Sequence, residues 1–326
     1  VGADGRFKYT GVAPGQYTIS AQATKSANGA PPPPPPPPVP PPGAAAGQAV
    51  FTSRVVVTGG GGELPAGDFM MMGPGGGDPN GTAYWAQADV AIDGAPVSGV
   101  ALALQPGLTI TGRVEFKSAN PRGGDYKRVQ LNLMPFASGN GLRITTSFPV
   151  VQIDETGKFT ITGVVPGRYQ LRGNAPVAPG SGPGAPWRLG SAIVKGRDML
   201  DFPLDVVPGD ELTDAVVTFT DATQSVTGSL QDASGRPAPD YTIVVFAADK
   251  VYWTQGSRRV RNTRPGTDGK FTIPNLPPGE YRMAAVVDVS PTEITEPAFL
   301  EQIVGASFAI KLGVGENKVQ DLRIAK

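Results

Sequence analysis

Along most of the chain, apolar and polar residues alternate with a period of two in short runs broken by Gly, Pro, Asn and Asp. Val129-Gln130-Leu131-Asn132-Leu133 is one such run and Tyr241-Thr242-Ile243-Val244-Val245-Phe246 is another. Each predicts a strand with one face turned inward. No stretch carries a capped apolar period of 3.6 residues, so no helix is predicted. Short strands between turn residues predict an all-β chain of tandem sandwiches.

The pattern repeats. Asp4-Gly5-Arg6-Phe7 is followed by Val12-Ala13-Pro14-Gly15-Gln16-Tyr17, and Thr156-Gly157-Lys158-Phe159 by Val164-Val165-Pro166-Gly167-Arg168-Tyr169. Asp268-Gly269-Lys270-Phe271 is followed by Leu276-Pro277-Pro278-Gly279-Glu280-Tyr281. Phe and the turn Pro are seven residues apart in every copy, and that Pro and Tyr three apart. The Gly before Phe supplies turn chemistry, and Pro-Gly suits the central positions of a type II turn. Phe7, Phe159 and Phe271 each face one side of a strand with the residue two places on. Tyr17, Tyr169 and Tyr281 are expected to form tyrosine corners, with the ring in the core and the hydroxyl returned to backbone. The structural anchors are therefore Phe7, Pro14, Gly15, Tyr17, Phe159, Pro166, Gly167, Tyr169, Phe271, Pro278, Gly279 and Tyr281.

A second mark opens two of the copies: Leu108-Thr109-Ile110-Thr111-Gly112-Arg113-Val114 and Gln224-Ser225-Val226-Thr227-Gly228-Ser229-Leu230. Residues 106–220 and 221–326 each make one sandwich of ordinary size. The first copy differs, because only six residues precede Phe7 and no opening mark lies among them. Trp187 and Phe299 each follow their Tyr by 18 residues, whereas Trp85 follows Tyr17 by 68. Taken as equivalent positions, they imply an insertion over about residues 25–80 of an incomplete unit spanning 1–105. A half-sandwich exposes apolar faces and strand edges unless something covers them. Either the sequence begins inside a domain, or another chain completes the unit by strand addition and builds a head-to-tail polymer. The start at Val1, with no initiator Met or leader pattern, predicts a mature, processed or partial product.

Within the insertion, eleven of the twelve residues from Pro31 to Pro42 are Pro, which predicts a polyproline II rod about 37 Å long. It reads as a surface spacer or as a recognition rod for a neighbouring subunit. Phe69-Met70-Met71-Met72 lies between Gly-rich stretches and is either buried or a contact surface. The candidate subunit contacts are Val1, Phe7, Pro31, Pro38, Phe69 and Met71.

Composition narrows the chemistry. The 326 residues include no Cys and no His, which removes thiolate and imidazole catalysis and the usual zinc and haem ligands. Gly (44) and Pro (35) approach the low-complexity range, yet 40% of the chain is apolar, enough to bury a core. Basic and acidic residues number 28 each, so no basic footprint marks a nucleic-acid partner. No apolar run is long enough to span a membrane. Gly59–Gly62 and Gly75–Gly77 lack the Lys-Ser/Thr and helix of a phosphate loop. No carboxylate cluster marks a catalytic pair, although Asp198, Asp201 and Asp288 lie in turns that could hold Ca²⁺. Arg258-Arg259-Val260-Arg261 beside Tyr252 and Trp253 reads as a solvated edge, with an acidic or sugar ligand as the alternative. No cofactor, metal or catalytic residue is assigned.

The Asp/Thr-Gly-x-Phe, six residues, Pro-Gly-x-Tyr signature resembles the carboxypeptidase regulatory-like domains, akin to transthyretin-like and collagen-adhesin B-type sandwiches. The third unit, with Gln231-Asp232-Ala233-Ser234-Gly235-Arg236-Pro237, is similar to the tandem versions in secreted bacterial proteins, acidobacterial ones especially. The resemblance covers the second and third units and half of the first. It implies an Ig-like, seven-strand sandwich and a non-catalytic, extracytoplasmic role. Isopeptide cross-links occur in related adhesin modules, but no such triad can be placed here. The chain is therefore expected to be a secreted or cell-surface structural protein, a subunit of a filament or array that associates with itself by strand complementation. The alternative is a glycan- or peptide-binding or regulatory module of a larger secreted protein or peptidase.

Overall fold

A computed structural model of the chain describes residues 4–25, 51–59, 82–118, 124–136, 149–176, 186–254, 256–287, 289–290 and 292–324. The candidate contacts Val1, Pro31, Pro38, Phe69 and Met71 lie outside the described residues.

The first strands are β1 (Gly15–Lys25), β2 (Phe51–Gly59), β3 (Thr82–Ile92) and β4 (Gln105–Pro106), in one sheet ordered β2-β1-β3-β4. There follow β5 (Leu108–Lys117), β6 (Gln130–Pro135), β7 (Val150–Ile153), β8 (Lys158–Val164), β9 (Gly167–Asn174), β10 (Arg188–Val194), β11 (Arg197–Asp198), β12 (Leu204–Val206) and β13 (Leu212–Thr220). They form a six-stranded sheet, β11-β10-β13-β5-β8-β7, and a three-stranded one, β12-β9-β6. The last strands are β14 (Ser225–Gln231), β15 (Thr242–Ala247), β16 (Val260–Thr263), β17 (Lys270–Pro274), β18 (Gly279–Val286), β19 (Phe308–Leu312), β20 (Asn317–Val319) and β21 (Leu322–Arg323). Their sheets are β17-β14-β20, with β21 also on β14, and β16-β15-β18-β19. The fold is all-β, a series of sandwiches; among the described residues one sheet represents the first.

Contacts gather the chain into two compact units. One holds residues 1–113, 131–172 and 203–215. In it, Tyr17, Ile19, Ala21 and Ala23 of β1 are buried, while the intervening Gln16, Ser20 and Gln22 are not. Phe7, Val12, Val90, Ile92, Val100 and Leu102 pack, partly buried, around Tyr17 and Ile19. Ile110, Leu131, Leu133, Phe159, Ile161, Tyr169 and Leu171 are buried at the alternate positions that two-residue periodicity demands.

The other unit holds residues 114–130, 173–202 and 216–326. Here one expectation from the sequence fails in an informative way. All six residues of β15 are buried. Ile243 and Val245 face a core shared with Phe271, Tyr281 and Met283, whereas Val244 and Phe246 face a second core with Trp253, Ile294 and Leu300. That second core is roofed by α1 (Pro297–Val304), a helix that the strand pattern hid. It has only eight residues and opens on Pro297, which at a first helical position starts a helix and elsewhere breaks one.

Candidate functional site

The three Pro-Gly-x-Tyr segments form the same corner. The hydroxyl of Tyr17 donates to the Ala13 carbonyl at 2.8 Å, that of Tyr169 to Val165 at 2.8 Å, and that of Tyr281 to Pro277 at 2.6 Å. All three rings are buried. Burial pushes the Tyr281 hydroxyl up to about 12 from its ordinary 10.0, against the opposing charge of Arg259. The Gly has a reason other than the type II turn expected from the sequence. Gly15, Gly167 and Gly279 are each the first residue of a strand, with φ of 159° and 158° at the latter two. A Cβ at Gly15 would lie 3.3 Å from the Tyr17 ring, and one at Gly279 would lie 3.6 Å from the Tyr281 ring. The second is ordinary contact, and the tighter neighbour of Gly279 is the Arg259 guanidinium at 3.1 Å, so Gly leaves room for the ring at Gly15 and for the cation at Gly279.

The opening marks meet the Phe anchors across the second sheet. Gly112 on β5 pairs with Phe159 on β8, and Gly228 on β14 pairs with Phe271 on β17. A Cβ at Gly112 would overlap the Ala215 carbonyl, and one at Gly228 the Gln320 carbonyl, so a neighbouring backbone crosses each Gly at close range. Phe159 and Phe271 are only 3% and 4% exposed beneath these strands. Phe7 has no such cover among the described residues. Residues 6–10 and 96–104 belong to no strand, and Tyr9, Val97 and Leu104 are 43%, 48% and 48% exposed.

The corner strands also share neighbours. Tyr17 pairs with Val90 of β3, Tyr169 with Leu204 of β12, and Tyr281 with Ile310 of β19. On the other flank, β9 and β18 meet β6 and β15, which precede them in sequence, whereas β1 meets β2, which follows it. The first sheet therefore fills from downstream a place that the other two fill from upstream. The equivalence assumed for Trp85, Trp187 and Phe299 does not hold. Trp85 lies in β3, Trp187 just before β10 and Phe299 in α1, so the interval counted from them does not measure the insertion.

Arg258 and Arg259 are neither a solvated edge nor a free cationic site. Arg258 donates to Asp201 at 2.7 Å, to Asp198 at 2.7 Å and to the Gly190 carbonyl at 2.8 Å. Arg259 donates to Asp201 at 3.0 Å and to the Pro278 carbonyl at 3.1 Å. Burial alone would lower the Arg258 pKa, but the hydrogen bond and charge of Asp201, then those of Asp198, hold it above its ordinary value. The cations also stack on rings: Arg259 over Tyr252 at 4.5 Å and Arg197 over Phe202 at 4.7 Å, with the two rings 5.2 Å apart. Asp198 and Asp201 are thus occupied by guanidinium groups, and no metal-holding group of carboxylates occurs among the described residues. Trp253 is buried and donates its Nε1 to the Ala247 carbonyl at 2.8 Å, which removes it as a glycan platform.

Asp residues build the turns between strands. The Asp232 Oδ1 accepts from the Ser234 hydroxyl at 2.6 Å and from the backbone N–H of Ser234 and Arg236 at 2.8 and 2.9 Å. Asp154 treats Thr156 and Lys158 in the same way. The Ser234 hydroxyl, then the Arg236 N–H, hold Asp232 down to about 2 from its ordinary 3.8. A depressed carboxylate stabilises the fold fully above its unfolded value and loses that contribution as pH falls through the folded one. In a carboxyl NMR titration, Asp232 is expected to change near pH 2, and Ser234→Ala should move its midpoint upward. A wild-type midpoint near 4 would remove the turn from the acid-stability argument.

No helix among the described residues is long and apolar enough to cross a membrane. No curated protein matches the sequence. Among solved structures, the Bacillus anthracis TIE protein is similar at 8% identity and a TM-score of 0.22, over 95% of this chain and 47% of its own. The chain thus spans about half of that protein's length. A streptococcal ancillary pilin is similar at 14% identity and a TM-score of 0.24, with 76% of each chain covered. The major pilin subunit of Bacillus cereus is similar at 11% and 0.24, covering 74% of this chain and 84% of its own. Residues 225–296 match the carboxypeptidase regulatory-like domain family. The matched residues run from the opening strand β14 through the corner at Tyr281 to the approach to α1, so the similarity falls on the last sandwich.

Proposed function

We propose that the chain is a non-catalytic structural protein, a subunit of an extracellular or cell-surface filament or array in which strands of one chain complete the first sandwich of the next. Its units on this reading are residues 1–105, 106–220 and 221–326. One observation supports it: the first unit has a tyrosine corner and an apolar sheet face like the others, yet no described residue places an opening strand opposite Phe7. Apolar faces and unpaired edges favour strand addition, and a heterologous contact that does not close propagates into a fibre. Negative-stain electron microscopy of native material, with intact mass measured on the same sample, tests this. Long fibres built of this chain are the expected result. A monodisperse monomer with a covered first unit would overturn the proposal and direct attention to a peptide- or glycan-binding role.

A further inference from the structure

We infer that the hairpin β10–β11 and the turn after it form a socket that locks the last sandwich in one orientation, with the loop between β15 and β16 as the plug. Every group involved lies in one chain and in the compact unit of residues 114–130, 173–202 and 216–326, so the inference does not depend on the assembly reading.

The hairpin shapes the socket by its own contacts. β10 pairs with β13 from Arg188 opposite Thr220 to Ile193 opposite Val216, and the register slips at Gly190, between Leu189 and Ser191. A bulged residue is left unpaired in its ladder, and the Gly190 carbonyl accepts from Arg258 instead, at 2.8 Å. Asp198 is aimed in the same way. Its Oδ1 accepts from the N–H groups of Ala192 and Leu200, both at 3.0 Å, while Oδ2 takes Arg258 at 2.7 Å. The N–H groups of Asp201 and Phe202 both return to the Asp198 carbonyl, at 3.1 and 2.9 Å, which fixes the turn that carries them.

The plug is tied to its own sandwich. Ala247 donates its N–H to the Arg259 carbonyl at 3.1 Å, and the Asp249 carboxylate accepts from the Val251 N–H at 3.0 Å. Arg259 also reaches the Pro278 carbonyl, next to the Pro277 carbonyl that takes the Tyr281 hydroxyl, so the plug is wired to the tyrosine corner.

The socket adds a second attachment to the covalent one. Between β13 and β14 the chain runs through residues 221–224, where the Gln224 carbonyl accepts from the Asn275 N–H at 2.8 Å. Asp198 pairs with Ile193 and Ile193 with Val216, four residues along β13 from Thr220, where that connection begins. At about 3.3 Å per residue the socket stands roughly 13 Å from the connection. Domains joined by a linker alone ordinarily move against each other. Two attachments this far apart, one a pair of guanidinium forks beside the Phe202 and Tyr252 rings, oppose such a swing.

The chain contains no Cys, so introduced pairs carry spin labels without background. Arg188→Cys on β10 and Thr272→Cys on β17, both exposed, report across the joint. Asn262→Cys on β16 with Thr272→Cys reports within the last sandwich alone. In the full chain, pulsed electron paramagnetic resonance should give a narrow distance distribution for both pairs. Arg258→Met keeps the stem and removes the fork, while Asp198 retains Ala192 and Leu200 and Asp201 retains Arg259. It should about double the width of the 188–272 distribution, as a joint held by its linker alone would, and leave the 262–272 distribution unchanged. A 188–272 distribution already broad in the wild type, or one as narrow in Arg258→Met as in the wild type, would overturn the inference. If Arg258→Met also broadens the 262–272 pair, the last sandwich itself has loosened, and Phe202→Ala, which removes the ring stack and leaves every charge, is judged by the same two widths.

Discussion

Asp201→Ala is expected to destabilise the compact unit containing residues 173–202 and 216–326 by about 3–5 kcal/mol, the cost of leaving buried charge without its partner. The Asp201 side chain is only 2% exposed and serves two guanidinium groups, those of Arg258 and Arg259, themselves 19% and 14% exposed. With Asp198 the cluster holds two anions and two cations and is neutral. Removing Asp201 leaves two partly buried cations facing one carboxylate. A loss of that size lowers Tm by on the order of 10 °C in a unit of this size, readable by calorimetry. Asp201→Asn retains acceptor capacity without the charge and should fall between the two. Arg236→Ala, which breaks the exposed pair with Asp232, should leave Tm nearly unchanged, because water screens that pair. Equal effects for Asp201→Ala and Arg236→Ala would mean that the Arg258 cluster is solvated in solution and does not hold its loops together.

This cluster lies where sequence reading stops. Asp198 and Asp201 stand 57–60 residues from Arg258, and no local spacing announces a contact that only the folded chain brings about. An Arg-Arg pair in a neutral protein reads as solvated for the same reason. The tyrosine corners were legible because Pro, Gly and Tyr act on one another within four residues, and three copies exposed the spacing. Part of the opening-strand geometry was legible too: both Gly marks and all the Phe anchors stood out, although not that they face each other across a sheet. The helix α1 was lost because Pro297 and a short apolar run resemble a turn and a strand. Complete burial of β15 follows from that helix, so its alternation was misread together with it. The place of β2 was hidden more deeply, since on that flank β9 and β18 meet a strand that precedes them and β1 meets one that follows it.

Gly228→Ala is expected to unseat the carboxyl-terminal strands at a cost of about 3 kcal/mol or more, the upper range for overpacking a closed site. The reason is steric. Gly228 is not among the residues of positive φ, so the backbone alone would accept Ala. The added Cβ, however, would overlap the Gln320 carbonyl and stand 3.0 Å from the Phe271 ring. Gln320 cannot retreat cheaply, because its N–H donates to the Thr227 carbonyl at 2.7 Å. The next residue, Asp321, accepts from both the N–H and the hydroxyl of Ser229, at 2.7 and 2.8 Å. Moving this segment also draws Leu322 out of the core that holds Phe271 and Tyr281. The Asp321 carboxyl provides an independent reading. The Ser229 hydroxyl, then its N–H, hold it below the usual carboxylate range, so displacement should return its titration toward 3.8. Gly235→Ala is the contrast, with φ of +83° and nothing within 4 Å: it meets conformational strain alone and should cost about 1 kcal/mol. If Gly228→Ala costs no more than Gly235→Ala and leaves the Asp321 titration unmoved, the backbone crossing at Gly228 is looser than drawn.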